Sequence, residues 1–280
     1  VTPRVDEFAR RDGVSFRWAF CQNPVCTPSR CSFMTGWYPH TAGHRTMVHM
    51  LRPHEPNLLR TLRREGYFVW WGGKNDLVPG QGGFDDVADL KFHHGEVDPD
   101  PHQLLMRHRS PDDAGYYSMF WGKLETSDGR PWRSADQAYV DGACDFLRHR
   151  PADQPLVIYL PLQYPHPPYA VEEPFFSMID RTKLPPRTPA PPGWRGKPSL
   201  LQGIAEGNAW TTGPKSNGRS CAPSTSACAL AWTGSSAWCA TRSARPACGT
   251  TRPCCSSAIT ATSPATTAWW RRRRTRLRTV

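Results

Sequence analysis

Residues 21–45 read C-Q-N-P-V-C-T-P-S-R-C-S-F-M-T-G-W-Y-P-H-T-A-G-H-R, with Cys26-Thr27-Pro28-Ser29-Arg30 at their centre. Pro28 suits the first residue of a helix, because its missing N–H would have no partner there, and Thr27 suits the cap before it. Helix-compatible residues continue to Thr35, and Gly36 can end the helix. Cys26 is therefore expected just outside a helix N-terminus. Unpaired N–H groups and the positive dipole end activate a thiol there and attract an anion.

Upstream, Thr2-Pro3 opens a short helix that ends before Gly13. Val14, Phe16, Trp18 and Phe20 then alternate with smaller or polar residues, which predicts a strand entering the Cys26 loop. Downstream, the spacing of Leu58, Leu59 and Leu62 predicts a helix over 55–64 with Gly66 as its stop. Tyr67-Phe68-Val69-Trp70-Trp71 reads as an apolar strand, followed by Gly72-Gly73-Lys74-Asn75-Asp76. Residues 77–133 are irregular and rich in Gly, Pro, Asp and His, as in a long excursion over a sheet end. Ser134 caps a helix running to Arg148, with Ala138, Val140 or Tyr139, Ala143 and Leu147 on its buried side. Leu156-Val157-Ile158-Tyr159-Leu160 has the continuous apolar character of a strand buried on both faces, and it leads to Gln163-Tyr164-Pro165-His166-Pro167-Pro168. Residues 170–207 are proline-rich and loop-like. Alternating helices and buried strands make the class α/β with a mostly parallel sheet. Ligands of such sheets bind beyond the strand C-termini, where Cys26, Lys74 and His166 are all expected.

The chain has 280 residues, a net charge of +11 and 10 cysteines. Of its 35 Lys+Arg, 24 lie in residues 1–207 and 11 in 208–280, whereas all 24 Asp+Glu lie in the first part. The excess charge is thus a property of the tail alone. The six tail cysteines follow no metal-site spacing. No apolar run is long enough to span a membrane. No signal peptide is visible, so a cytoplasmic location is the expectation, although Val1 already sits at a helix entry and the N-terminus reads as truncated.

The run C-T-P-S-R, with Thr35-Gly36 and Tyr38-Pro39-His40 in register behind it, resembles the signature of the type I sulfatase family within the alkaline-phosphatase superfamily. The resemblance implies an α/β/α sandwich, incomplete here. It also implies hydrolysis of a sulfate monoester. Cys26 would be the precursor of a formylglycine nucleophile, made by a formylglycine-generating enzyme, and would also be a ligand to a divalent cation, usually calcium. Arg30, one helical turn on, would hold the hydrated aldehyde. Lys74 resembles the family lysine that binds the sulfate, and His166 the histidine near the leaving oxygen. Many members read G-K-x-H where this chain has Gly73-Lys74-Asn75-Asp76, so Asp76 stands in place of the histidine base. A phosphonate or phosphodiester hydrolase of the same superfamily is the alternative. His40, His44, Arg45, His49, His93, His94 and His102 are expected to be mostly solvated or structural. Cys31 is expected to be a buried thiol, and Trp37 and Tyr38 are expected to pack under the site.

From about Asn208 the composition shifts to Ser, Thr, Ala, Cys, Arg and Trp, without acids or histidine. Disordered tails are poor in Trp and Cys. A GC-rich gene read in the wrong frame produces this mixture naturally. Joining the third base of each codon to the first two of the next allows Ser256–Arg272 to encode F-S-D-H-G-D-F-T-G-D-Y-G-L-V-E-K. Trp269-Trp270 forces the V of that peptide. D-H-G is the run by which the family supplies metal ligands. The expectation is therefore a partial catalytic domain over 1–207 and an out-of-frame tail over 208–280, joined by a one-base shift near 204–210. The chain as printed would then lack the cation cage and be inactive. The arginines of 271–278 would be accidents of frame, so no nucleic-acid or membrane partner is expected.

Overall fold

The structure is a computed structural model. It describes residues 3–11, 13–16, 18–44, 46–80, 82–101, 103–104, 120–151, 153–164, 166–180, 191–207, 259–260 and 267–268. The chain divides into two compact units. The first takes Thr2–His94, Tyr139–Gln163 and Ser235–Val280, and the second Val1, Gly95–Ala138 and Tyr164–Gly234.

The first unit is built on a parallel sheet. β1 (Phe68–Gly72) lies between β2 (Leu90–Phe92) and β4 (Leu156–Tyr159), with Trp70 opposite Leu90 on one side and Ile158 on the other. Successive side chains of a strand point to opposite faces, and β1 uses both. Phe68 and Trp70 stack on Phe146 and Phe92, which places helix α4 (Ala135–His149) on that face. Val69 and Trp71 point the other way, into a core with Cys31 and Met34 of α2 (Cys26–Thr35) and Leu59 of α3 (Leu58–Arg64). A sheet with helices on both faces is the expected α/β/α arrangement.

Helix α1 spans Pro3–Arg11, as its proline and the following Gly13 predict. The strand expected over 14–20 is not formed. Ser15 makes only an isolated bridge, and Phe16, Trp18 and Phe20 are exposed. An alternating pattern needs a neighbouring ladder to become a strand, and among the described residues this segment has none. Helix α3 begins at Leu58 rather than Glu55, because the Asn57 side chain accepts from the Leu59 N–H at 2.9 Å and caps it there. Leu59 is buried in the core with Val69 and Trp71, while Leu58 stays exposed. β4 is half-buried rather than fully buried.

In the second unit, β3 (Phe120–Lys123) pairs in parallel with β5 (Tyr169–Val171). Tyr164 and Val171 pack with Phe175, Phe176 and Ile179 around α5 (Phe175–Met178). Asp98 fixes the approach to α4 by accepting from Arg130 Nη1 at 2.8 Å, Arg130 Nη2 at 2.5 Å and the Arg133 N–H at 2.7 Å. Both segments expected to be irregular therefore carry structure: β2 and β3 within 77–133, and β5, α5 and α6 (Ser199–Gly207) within 170–207. Their strands are three or four residues long, too short for a periodic signal. The stretch 208–280 lies outside the described residues, apart from a pairing of Ile259–Thr260 (β6) with Thr267–Ala268 (β7).

Candidate active site

Helix α2 carries the first two candidates. It starts two residues earlier than the proline implies: Val25 is the cap residue, without a side-chain cap, and Cys26 is the first helical residue. Pro28 is tolerated as the third residue because first-turn N–H groups need no intrahelical partner. Thr27 is not the cap. It is buried, and its Oγ1 donates to the Met47 carbonyl at 3.2 Å, tying the 46–49 turn to the helix start. Gly36 ends the helix at φ +74°, its N–H bonded to the Ser32 carbonyl.

Cys26 is partly exposed at this helix start, whereas Cys31 is fully buried. Burial, reinforced by the Glu55 carboxylate, pushes the Cys31 thiol up to about 12. One helix thus carries one accessible thiol and one locked in the neutral form.

Arg30 is 7% exposed, a rare state for arginine. Asp76 Oδ2 lies 3.5 Å from its Nε and 3.2 Å from Lys74 Nζ. These are ion-pair distances without hydrogen-bond alignment: Arg30 Nε, Arg30 Nη1 and Asp76 Oδ2 are all buried and lack a hydrogen bond. The Tyr159 hydroxyl completes the floor. Burial raises it above the ordinary tyrosine range, opposed by the neighbouring Arg30 guanidinium.

The loop after β1 brings Lys74 and Asp76 to Arg30. Gly73 adopts φ +123°, and a Cβ there would meet the Pro161 carbonyl oxygen at 2.4 Å, so only glycine fits. The Lys74 N–H donates to that same oxygen at 2.8 Å. Asn75 stiffens the next turn, its Oδ1 accepting from the Leu77 and Val78 N–H groups and its Nδ2 donating to the Val78 carbonyl. Arg30, Lys74 and Asp76 therefore meet at the C-terminal edge of the sheet, one helical turn from Cys26.

His166 belongs to the second unit. It is half-buried, and its Nδ1 faces the Pro167 carbonyl at 2.5 Å. A carbonyl only accepts, so Nδ1 carries the hydrogen in this contact. The preceding residues are anchored through Tyr164, whose N–H donates to Asp136 and whose hydroxyl donates to Glu172 at 2.9 Å.

Among the other histidines, His44 is structural. It is buried, with Nε2 2.8 Å from Glu55 Oε2 and Nδ1 2.6 Å from the His49 carbonyl. Arg45 and His102 lie outside the described residues. Trp37 and Tyr38 are exposed and do not pack under the site. Two residues that bear on the site were missed in the sequence, Tyr159 and Lys91. Tyr159 sits in the apolar run 156–160, which reads simply as core, and Lys91 in the 77–133 stretch, which reads as irregular; the signal in each was a polar group between apolar neighbours.

Among the described residues, no three His, Cys, Asp or Glu side chains are grouped to hold a metal ion. Asp76 is already engaged by two cations. These residues do not by themselves supply a cation cage. No helix among the described residues is long and apolar enough to cross a membrane.

The family model for sulfatases matches residues 1–183. The chain is 25% identical over 201 residues to human N-acetylgalactosamine-6-sulfatase, covering 64% of this chain and 38% of that protein. It is 27% identical over 170 residues to human arylsulfatase K, covering 57% and 28%. Its fold matches the phosphonate monoester hydrolase of Agrobacterium radiobacter with a TM-score of 0.58 at 19% identity, covering 86% of this chain and 54% of that one. It matches a protein solved with its substrate D-glucosamine-2-N,6-O-disulfate with a TM-score of 0.55 at 17% identity, covering 86% and 56%. The chain thus spans well under half the length of these curated relatives, and within that span, signature helix included, it belongs to the sulfatase family.

Proposed function

We propose that the whole protein hydrolyses a sulfate monoester, with Cys26 as the precursor of a formylglycine nucleophile. The observation that carries this reading is the buried Arg30, with two unbonded nitrogens, one helical turn from a partly exposed Cys26 and beside Lys74. Once hydrated, an aldehyde at position 26 supplies one hydroxyl to attack sulfur and another to expel sulfate. Arg30 orients that group, and Lys74 neutralises the sulfuryl oxygens as charge builds on them. Asp76 holds both cations in register and is the candidate acceptor for the second hydroxyl's proton. His166, by the family resemblance alone, is the candidate acid for the leaving oxygen.

A divalent cation, calcium in most of the family, fits the hard sulfuryl oxygens. No step is assigned to it, because the described residues do not form its cage. We infer that the missing donors are encoded in the shifted frame of 208–280, where the D-H-G run lies. A sulfated sugar is the proposed substrate class. It is supported by the relative named N-acetylgalactosamine-6-sulfatase and by the fold neighbour solved with a disulfated glucosamine.

Sequencing the gene across codons 200–215 tests the frame, and an uninterrupted frame there refutes the shift. Turnover is then compared for the frame-restored protein on an aryl sulfate and an aryl phosphonate ester. Faster sulfate cleavage, lost in Cys26→Ala, is the expected result, whereas phosphonate preference assigns the protein to the alternative activity. The 280-residue chain as printed is expected to turn over neither.

A further inference from the structure

Lys91 stands in the middle of β2, opposite Trp71 of β1. Its ammonium lies 5.1 Å from the ring centre of Phe84, 5.6 Å from that of Trp71 and 5.8 Å from that of Tyr139. Among the described residues it forms no ion pair with a carboxylate. Its Nζ donates instead to the Gly73 carbonyl at 3.1 Å. A half-buried ammonium in an aromatic layer is costly, and a methionine of similar length would fill the space at less expense. The lysine therefore marks a polar task, and its hydrogen bond names that task.

The Gly73 carbonyl and the Lys74 N–H belong to one peptide group. The N–H end is held by the Pro161 oxygen at 2.8 Å, and the carbonyl end by Lys91. Glycine at φ +123° has wide backbone freedom, so a peptide held at one end only can rotate and swing the Lys74 side chain with it. We propose that Lys91 is a positioning residue that locks the Gly73–Lys74 peptide plane and so aims Lys74 at the bound anion. The rings supply a second reason for the choice of lysine. They hold the ammonium by cation–π attraction while leaving its protons to the carbonyl. Burial lowers Lys91 below the ordinary lysine range, consistent with a donor that water does not share.

The anion half of this proposal rests on reading Lys74 as the sulfate-binding residue, so the test has two readouts. Amide exchange of the full chain is measured by NMR in the wild type and in Lys91→Met, and each is titrated with inorganic sulfate. Exchange at the Lys74 amide should accelerate about tenfold while the Phe68 and Val69 amides keep their rates, and the sulfate dissociation constant should rise about tenfold, as for a lost charge-assisted hydrogen bond. Lys91→Gln, whose amide stops short of the carbonyl, should behave alike and serves if the methionine variant does not fold. Unchanged exchange at Lys74 in a folded variant overturns the proposal. So does faster exchange with unchanged sulfate affinity. Faster exchange in a chain whose wild type takes no sulfate leaves the peptide clamp standing and overturns the sulfate role of Lys74.

Discussion

Asp76→Asn separates the stability of the site from its chemistry. The carboxylate sits between two cations, Arg30 with a side chain 8% exposed and Lys74 with one 21% exposed. Neutralising it leaves Arg30 buried without a counter-charge, while Lys74 can turn towards water. Removing one partner of a buried pair costs about 3–5 kcal/mol, and the low end applies because the 3.5 Å contact is not an aligned hydrogen bond. A loss of about 3 kcal/mol moves the urea midpoint down by about 1.5 M at an m-value of about 2 kcal/mol/M.

The same substitution should strengthen anion binding, since two cations then face the site without a carboxylate competing. An anion held at about 100 times its dissociation constant adds about 2.7 kcal/mol to stability. Sulfate should therefore restore most of the lost midpoint in Asp76→Asn and raise the wild-type midpoint much less. Urea titrations monitored by tryptophan fluorescence, with and without sulfate and at constant ionic strength, measure both effects. An unchanged midpoint without sulfate, or equal sulfate stabilisation of the two proteins, would show that Asp76 does not balance these cations.

The remaining predictions concern single groups. Cys31 should resist iodoacetamide at pH 8 while Cys26 is alkylated, which peptide mass mapping reads directly. Because the folded chain keeps the Cys31 proton to about pH 12, whereas the unfolded thiol loses it near 8.5, Cys31 makes stability fall as pH rises through that window, and Cys31→Ala should flatten the fall. Burial raises the Glu172 carboxyl, so above the ordinary glutamate range the folded state holds its charge at a disadvantage. Glu172→Gln, whose side-chain oxygen can still accept from Tyr164, should accordingly raise the melting temperature at pH 7 but not at pH 4. Asn57→Ala removes the cap of α3 and should cost about 1 kcal/mol, seen as a lower urea midpoint with an unchanged m-value.

What could be read in the chain follows from where the physics is local. The helix of C-T-P-S-R, its stop at Gly36 and the strand expected over 67–71 rest on short-range signals, namely a proline, a glycine and a run of aromatics; the helix and its stop stand, and the strand forms one residue later, over 68–72. The strand expected over 14–20 failed because pairing is not local, and alternation describes a strand only if a neighbour is there to receive it. Leu58 and Leu59 show the same limit on a smaller scale. Both are equally apolar, and packing against Val69 and Trp71, not composition, decides that Leu59 is the one buried. The site divides likewise. Cys26 and Arg30 were legible as a pair because one helix holds them, but that Asp76 would sit between Arg30 and Lys74 depends on how the β1 loop meets α2.

That placement gives the departure from G-K-x-H its meaning. A histidine at position 76 would have brought a titratable ring to two fixed cations, whereas aspartate brings a fixed counter-charge. Arg30 and Lys74 then face one carboxylate, Asp76, two cations to one anion, while His44 and Glu55 pair with each other. Arg30 still keeps Nε and Nη1 without hydrogen bonds. Leaving buried donors unmet costs about 1–3 kcal/mol and is seldom retained without use. The Asp76 carboxylate is thus strong enough to keep the cations folded in place, and too poorly aligned to satisfy them. An oxyanion arriving beside Cys26 would supply the hydrogen bonds that Asp76 does not, which is the physical reason for reading this edge of the sheet as a binding site rather than a structural ion pair.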